Sequence, residues 1–285
     1  MPRTSSSSST SASTSASTTS GVSPAPAPQQ HIVPRSIARY GWRPDTPDMR
    51  DKMSAIAVRA VSRLPASTDL STKAWMPPVY DQGDLGSCTG NAIAGGFEFD
   101  LGKQQLPVFQ PSRLAIYYDE RVIERTTKED AGAEIRDGMK VIAKTGAATE
   151  KLWPYVASKF ATKPSAAYYA AAKDHTCVLY ERVSQSEAAL KSVLASGLPI
   201  VFGITIYDSF ESDAVAESGT VPMPKKTEKS LGGHAILMVG YTKTTFKFRN
   251  SWGKDWGKKG YATLPLAYVL NSDLASDFWT VQTVK

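Results

Sequence analysis

The pattern of the chain changes near residue 200, and that change limits the folds open to it. Before it, apolar residues recur at helical spacing. In 134–144, Ile135, Met139 and Ile142 share one face, and Gly146 follows as a stop. Residues 88–101 follow the cap-type Ser87 and carry Ala92, Ile93, Phe97 and Leu101. Pro111 suits the first turn of a helix running through Arg121. Two shorter helices are expected over 166–173 and 186–196, the latter closed by Gly197 and Pro199. After residue 200 the segments turn β-rich. Residues 200–207 are one strand. Residues 234–241 form a nearly continuous apolar run, as in a strand covered on both faces. Residues 246–250 alternate, and 260–264 follow. Helices first and strands second predict an α+β protein of two lobes with a cleft between them, and ligand sites form in such clefts.

Three segments supply chemistry for that cleft. The first runs from Gln82 through Gly86 and Ser87 to Cys88. The second is Gly232, Gly233 and His234 at the head of the apolar strand. The third is Asn250, Ser251, Trp252 and Gly253. Together they hold a thiol, an imidazole, an amide able to fix the imidazole tautomer, and a glutamine six residues before the thiol. Each alone has a bland reading: a turn, a satisfied histidine, a loop with a core tryptophan. Their joint occurrence is the parts list for attack by cysteine on an amide carbonyl. Cys88 stands at a helix start, where unpaired N–H groups favour negative charge. His234 is placed to hold the thiol proton, Asn250 to orient His234, and Trp252 to keep water from that pair. The Cys88 N–H and the Gln82 side chain are the candidate oxyanion donors.

Charge and cysteine content exclude other classes. The net charge of +6 is uneven, with +5 of it in residues 1–74. A basic arm is no basic stripe on a folded face, so nucleic-acid binding is not expected. No run of about 18 apolar residues exists, so no membrane span is expected. The first residues lack the apolar stretch of a secretory leader, which points to a cytoplasmic protein or to export by another route. Two cysteines allow at most one disulfide. Cys177 sits in an apolar, strand-like run and reads as a small buried hydrophobe.

Residues 1–30 are almost wholly Ser, Thr, Ala and Pro, a composition that predicts a disordered tail. Residues 31–74 differ. They carry Tyr40 and Trp42, and Ala55, Val58 and Val61 fall three apart, a weak helical spacing over 48–61. Two exposed aromatics would make an apolar patch, so this segment is expected to pack on the body.

The residues quoted above resemble the papain-like cysteine peptidases, over about residues 75–285. His234 follows Cys88 by 146 residues and Asn250 by 162, near the spacing known for that family. The chain is most similar to bacterial members from plant-associated bacteria. The resemblance implies a helical left lobe bearing the cysteine, a β-barrel-like right lobe bearing His234 and Asn250, and peptide hydrolysis through a thioester. It implies protein or peptide substrates and no metal or organic cofactor. It puts Gly132, Ala133, Gly203 and Gly233 at substrate, with Gly203 leaving room for a bulky apolar side chain.

Three departures stand out. Leu85 occupies the place of a disulfide cysteine, Thr89 the place of a tryptophan after the nucleophile, and no long helical prosegment precedes the body. Residues 31–74 are therefore expected to touch the cleft and restrain activity as a short prosegment. An acyl or amide transferase using the same residues, or a non-catalytic binding module of the same fold, are the alternatives.

Overall fold

A computed structural model describes residues 1–2, 40–56 and 58–285. The chain forms two units, 1–30 and 31–285, and the account below concerns the second. Residues 3–30 of the expected tail, and residues 31–39 and 57 of the expected prosegment, lie outside the described residues.

The cysteine helix α1 (Cys88–Lys103) is the axle of the molecule. Its residues 88–101 are all buried, since α2 (Arg113–Glu124), α3 (Ile135–Lys144) and strands β4 (Ser230–Tyr241) and β7 (Ala275–Val284) pack around it. A helix enclosed on every side is mostly apolar or small, as its Ala, Ile, Gly and Phe content is, and the buried Asn91 and Glu98 take bonds from Arg113 and Tyr80. α3 buries the face read from its spacing: Ile135, Met139 and Ile142 are each fully covered. α2 begins two residues after Pro111, at Arg113. The Ser112 hydroxyl caps it by accepting the Ala115 N–H at 3.2 Å, because a side-chain acceptor satisfies an end donor that proline cannot. The short helices α4 (Ala166–Ala172) and α5 (Glu187–Ala195) are similarly capped by Ser165 and Ser186.

Seven antiparallel strands make up the other half. β2 (Cys177–Arg182), β3 (Ile200–Tyr207), β5 (Thr245–Arg249) and β6 (Tyr261–Pro265) join β4 and β7 in the order β2-β7-β3-β4-β5-β6, and β1 (Thr68–Asp69) pairs with β4. The path is open, so the sheet does not close into a barrel and is barrel-like only loosely. β4 is buried from His234 to Tyr241, as its continuous apolar run requires. Two short helices, α6 (Asp213–Ser218) and α7 (Leu266–Val269), lie in the connections.

The helical spacing over 48–61 does not become a helix. Its residues 52–54 pair with Arg182 at the end of β2 instead. Ser54 N–H donates to Arg182 O at 2.7 Å, and Arg182 N–H to Lys52 O at 2.8 Å. Pairing with a strand satisfies the backbone there, and three weak apolar positions do not offset it.

Candidate active site

The loop 82–87 delivers Cys88 to the start of α1. Ser87 holds the cap position, yet its hydroxyl does not cap. It bonds the Tyr155 hydroxyl at 2.6 Å, and Asn91 Nδ2 donates to it at 3.1 Å. Tyr155 also donates to Gln82 O at 2.6 Å, so one phenol ties both ends of the loop. Behind it, the Arg113 guanidinium lies against the rings of Tyr80 and Tyr155 at 4.8 and 4.2 Å. Arg113 donates to Asp81 O at 3.0 Å and Asn91 Oδ1 at 2.9 Å, with Glu150 as its partner at 2.8 Å. This bracing residue, Arg113, comes from α2, far from the loop in sequence.

The sheet supplies the remaining groups. His234 opens the buried part of β4, and its Nε2 lies 2.8 Å from Asn250 Oδ1. Asn250 follows β5, which pairs with β4 at Leu237↔Arg249 and so sets the two side chains together. The Trp252 ring covers them, 5.1 Å from the imidazole centroid. Ser251, between Asn250 and Trp252, bonds the other lobe. Its hydroxyl donates to Gln82 Oε1 at 2.6 Å, and its carbonyl accepts the Gln82 N–H at 2.8 Å. Gln82 Nε2 keeps one hydrogen on Leu85 O at 2.9 Å, leaving a second N–H available. Cys88 is wholly buried, with the N–H groups of Ala235, Gly41 and Thr89 directed at its sulfur. Burial pushes its thiol up to about 12. Those three N–H groups pull the other way, and the buried Glu120 carboxyl adds a smaller upward push.

Part of that burial comes from residues 40–43, which run through the cleft. Trp42 N–H donates to Gly233 O at 2.8 Å, Ala133 N–H to Gly41 O at 2.7 Å, and Arg43 N–H to Ala133 O at 3.1 Å. The Trp42 indole fills the space above Gly203, where an added Cβ would fall 1.9 Å from a ring carbon. Gly132 (φ +70°) is as crowded, since a Cβ there would lie 2.2 Å from Gly41 O. Tyr40 leans over the imidazole, with centroids 5.9 Å apart, and its hydroxyl donates to Glu211. Thus the structure brings Gln82, Cys88, His234, Asn250 and Trp252 to one place. It sets Gly132, Ala133, Gly203 and Gly233 around one strap of this chain.

A model of the papain family cysteine proteases matches residues 64–276. The chain belongs to that family. It is thus a cysteine peptidase, a hydrolase by family, with the papain-like fold. It is 37% identical over 270 residues to a peptidase C1-like protein of Acanthamoeba polyphaga mimivirus, covering 86% of this chain and 87% of that one. Cathepsin K of Mus musculus is 30% identical over 210 residues, covering 71% of this chain and 60% of its own length. Among solved structures, xylellain, a cysteine protease from Xylella fastidiosa, is 40% identical with a TM-score of 0.81, covering 86% of this chain and 96% of that one. The digestive procathepsin L 3 of Tenebrio molitor shares the fold at 20% identity, with a TM-score of 0.63 over 81% of this chain and 73% of that one.

Proposed function

We propose that this papain-family chain is an endopeptidase in which Cys88 attacks the scissile carbonyl and residues 40–43 hold the enzyme inactive. The thiol proton passes to His234. The thiolate sulfur bonds the carbonyl carbon, and the carbonyl electron pair moves onto oxygen. The Cys88 N–H and the free Gln82 N–H stabilise that oxyanion, as preorganised donors do at low reorganisation cost. The C–N bond then breaks, and imidazolium gives its proton to the departing amine. A water, deprotonated by His234, hydrolyses the thioester and restores the thiol. Asn250 keeps the His234 ring oriented throughout, under the cover of Trp252. The observation that carries this reading is the buried His234–Asn250 bond of 2.8 Å beside a thiol at a helix start.

The inhibitory role rests on how the strap lies. The N–H of the Tyr40–Gly41 peptide faces the sulfur, while Gly41 O accepts the Ala133 N–H at 2.7 Å. The strap thus fills the substrate's place and covers the thiol with an amide N–H. The subsite at Gly203 holds a large ring, which favours substrates with a bulky apolar residue there.

Turnover of fluorogenic peptides under reducing conditions tests both parts, with the full chain, Cys88→Ala and Gly41→Ala compared. The alanine at 88 should abolish turnover. A Cβ at 41 would fall 1.7 Å from Gly86 O, so Gly41→Ala should expel the strap and raise turnover. Turnover retained by Cys88→Ala would remove the nucleophile assignment, and no rise in Gly41→Ala would remove inhibition by the strap.

A further inference from the structure

We propose that Asp130 is a positioning residue for the peptidase reaction, locking the loop with the oxyanion donors to the loop whose edge receives substrate. The proposal rests on the roles given above to Gln82, Cys88, Gly132 and Ala133. Its basis is one carboxylate reaching two loops. The Gly86 N–H, two residues before the thiol, donates to Asp130 Oδ2 at 3.0 Å and to Oδ1 at 3.2 Å. The Tyr117 hydroxyl donates to Oδ1 at 2.5 Å and accepts the Gly132 N–H at 3.0 Å. The chain Gly86–Asp130–Tyr117–Gly132 therefore joins the nucleophile loop to the edge that pairs with the strap at Ala133.

The supports of this chain are themselves fixed. Tyr117 is fully buried, with the Arg121 guanidinium 4.0 Å from its ring centroid. Arg121, also fully buried, donates to Thr127 O at 3.1 Å and Glu129 O at 2.9 Å. The segment presenting Asp130 is thus held from beneath. Gly86 lies between two neighbours. A Cβ there would fall 3.1 Å from the Asp130 carboxylate and 3.4 Å from Gly41 Cα. The main chain of the loop therefore separates the carboxylate from whatever occupies the cleft, and a shift of Gly86 moves the loop against its occupant. Both cysteines are free, so no covalent tie holds this loop. Hydrogen bonds to a carboxylate are about twice as strong as neutral ones, which suits Asp130 to that task.

The test uses the full-length chain carrying Gly41→Ala as parent, with Asp130→Ala, Asp130→Asn and Tyr117→Phe added singly. Readouts are kcat and KM on a fluorogenic dipeptide, the rate of Cys88 alkylation by iodoacetamide, and the melting temperature. Asp130→Ala is expected to lower kcat by about 10- to 100-fold, less than the loss of an oxyanion donor outright, and to raise KM. Asp130→Asn should fall between it and the parent, since its amide oxygen still accepts the Gly86 N–H. Tyr117→Phe removes the hydroxyl that bridges Asp130 to Gly132 but leaves the Gly86–Asp130 bond, so it should raise KM and lower kcat less than Asp130→Ala does. Alkylation should stay near the parent rate in all three, because none touches the thiol.

A folded Asp130→Ala with parental kcat and KM would overturn the proposal. So would alkylation falling in step with kcat, which would place the effect on the thiol. Should Asp130→Ala not fold, Asp130→Asn and Tyr117→Phe decide through the split between kcat and KM. A parent with no turnover would sink the peptidase roles and this proposal together. A parent that turns over and is indifferent to Asp130 sinks this one alone.

Discussion

Two neighbouring stretches of the N-terminal segment lie on the body by opposite means. The strap, 40–43, is held mainly by main-chain pairing and one indole, with side-chain bonds at its two ends from Tyr40 to Glu211 and from Arg43 to Glu124. The Trp42 Nε1 is buried and finds no acceptor among the described residues, a cost of about 1–3 kcal/mol for such a group. The belt, from Asp45 to β1, is held by buried charge. Asp45 accepts from Trp279 Nε1 at 2.8 Å, Arg136 N–H at 3.0 Å and Arg182 at 3.1 Å. Asp51 takes a two-pronged bond from Arg136, at 2.8 and 2.6 Å. Further along, Leu70 is buried and Thr68 pairs with Tyr241. Main-chain edges and an apolar subsite exchange one peptide for another at little cost. A buried ion network does not, since removing one side strands the other. On the proposed reading the exchangeable contact lies in the cleft, and the charged contact begins two residues later.

Truncation should break this contrast most visibly. Deleting 1–43 is expected to leave a folded, active enzyme. Deleting 1–74 strips Arg136 and Trp279 of their acceptors. Loss of one side of a buried pair costs about 3–5 kcal/mol, a large share of a typical total of about 5–15 kcal/mol. The shorter protein should therefore show no cooperative melt near that of the longer. Equal melting temperatures would erase the distinction between strap and belt.

Side-chain changes sharpen the same comparison. Trp42→Ala should raise peptide turnover by about 10-fold or more, the factor that corresponds to about 1.4 kcal/mol of lost strap binding. Trp42→Phe, with no N–H to leave unpaired, should match the parent or fall below it. A Phe variant as active as the Ala variant would show that the indole's fit is immaterial.

A smaller effect is expected in the pH dependence of alkylation. Under the strap, burial holds the Cys88 thiol up at about 12. A thiol raised in this way stays protonated until pH approaches that value, so the full chain's alkylation rate should climb through pH 11 without levelling. Gly41→Ala, with the sulfur exposed to water, should level at lower pH. Superimposable profiles would mean the strap does not set the thiol's environment.

The belt should show the smallest effect. Burial and the nearby Asp277 push the Asp45 carboxyl from 3.8 to about 6. A carboxyl raised by folding contributes stability that is complete below its unfolded value and lost as pH rises through its folded one. The melting temperature of the wild type, relative to Asp45→Asn, should therefore increase from pH 7 to pH 5. A constant difference would show that Asp45 takes up no proton in that window.

The motifs made much of the site legible. Gln82, Cys88, His234 and Asn250 each sit in a local pattern that the chemistry demands, and β4 and α3 announced themselves by apolar runs and spacing. Gly132 and Gly203 were placed at substrate by the family resemblance, Gly203 as the position leaving room for a bulky side chain. The braces were not. Arg113, Tyr117, Asp130 and Tyr155 are ordinary polar or aromatic residues in sequence, and their partners are set only when α2 packs on α1. Ser251 lay inside a recognised motif, yet its bond to Gln82 spans the two halves of the molecule and leaves no local mark. The spacing over 48–61 misled because backbone pairing with β2 outweighed a weak periodicity.

The sequence by itself determined the family and the order of elements, because each motif and the apolar strand are written in short local runs. Tertiary structure alone decided where residues 40–43 lie, which side chains hold the nucleophile loop, and where the N-terminal segment changes from strap to belt. Those depend on contacts between residues far apart in the chain, whose energies exist only once burial has removed water from between them.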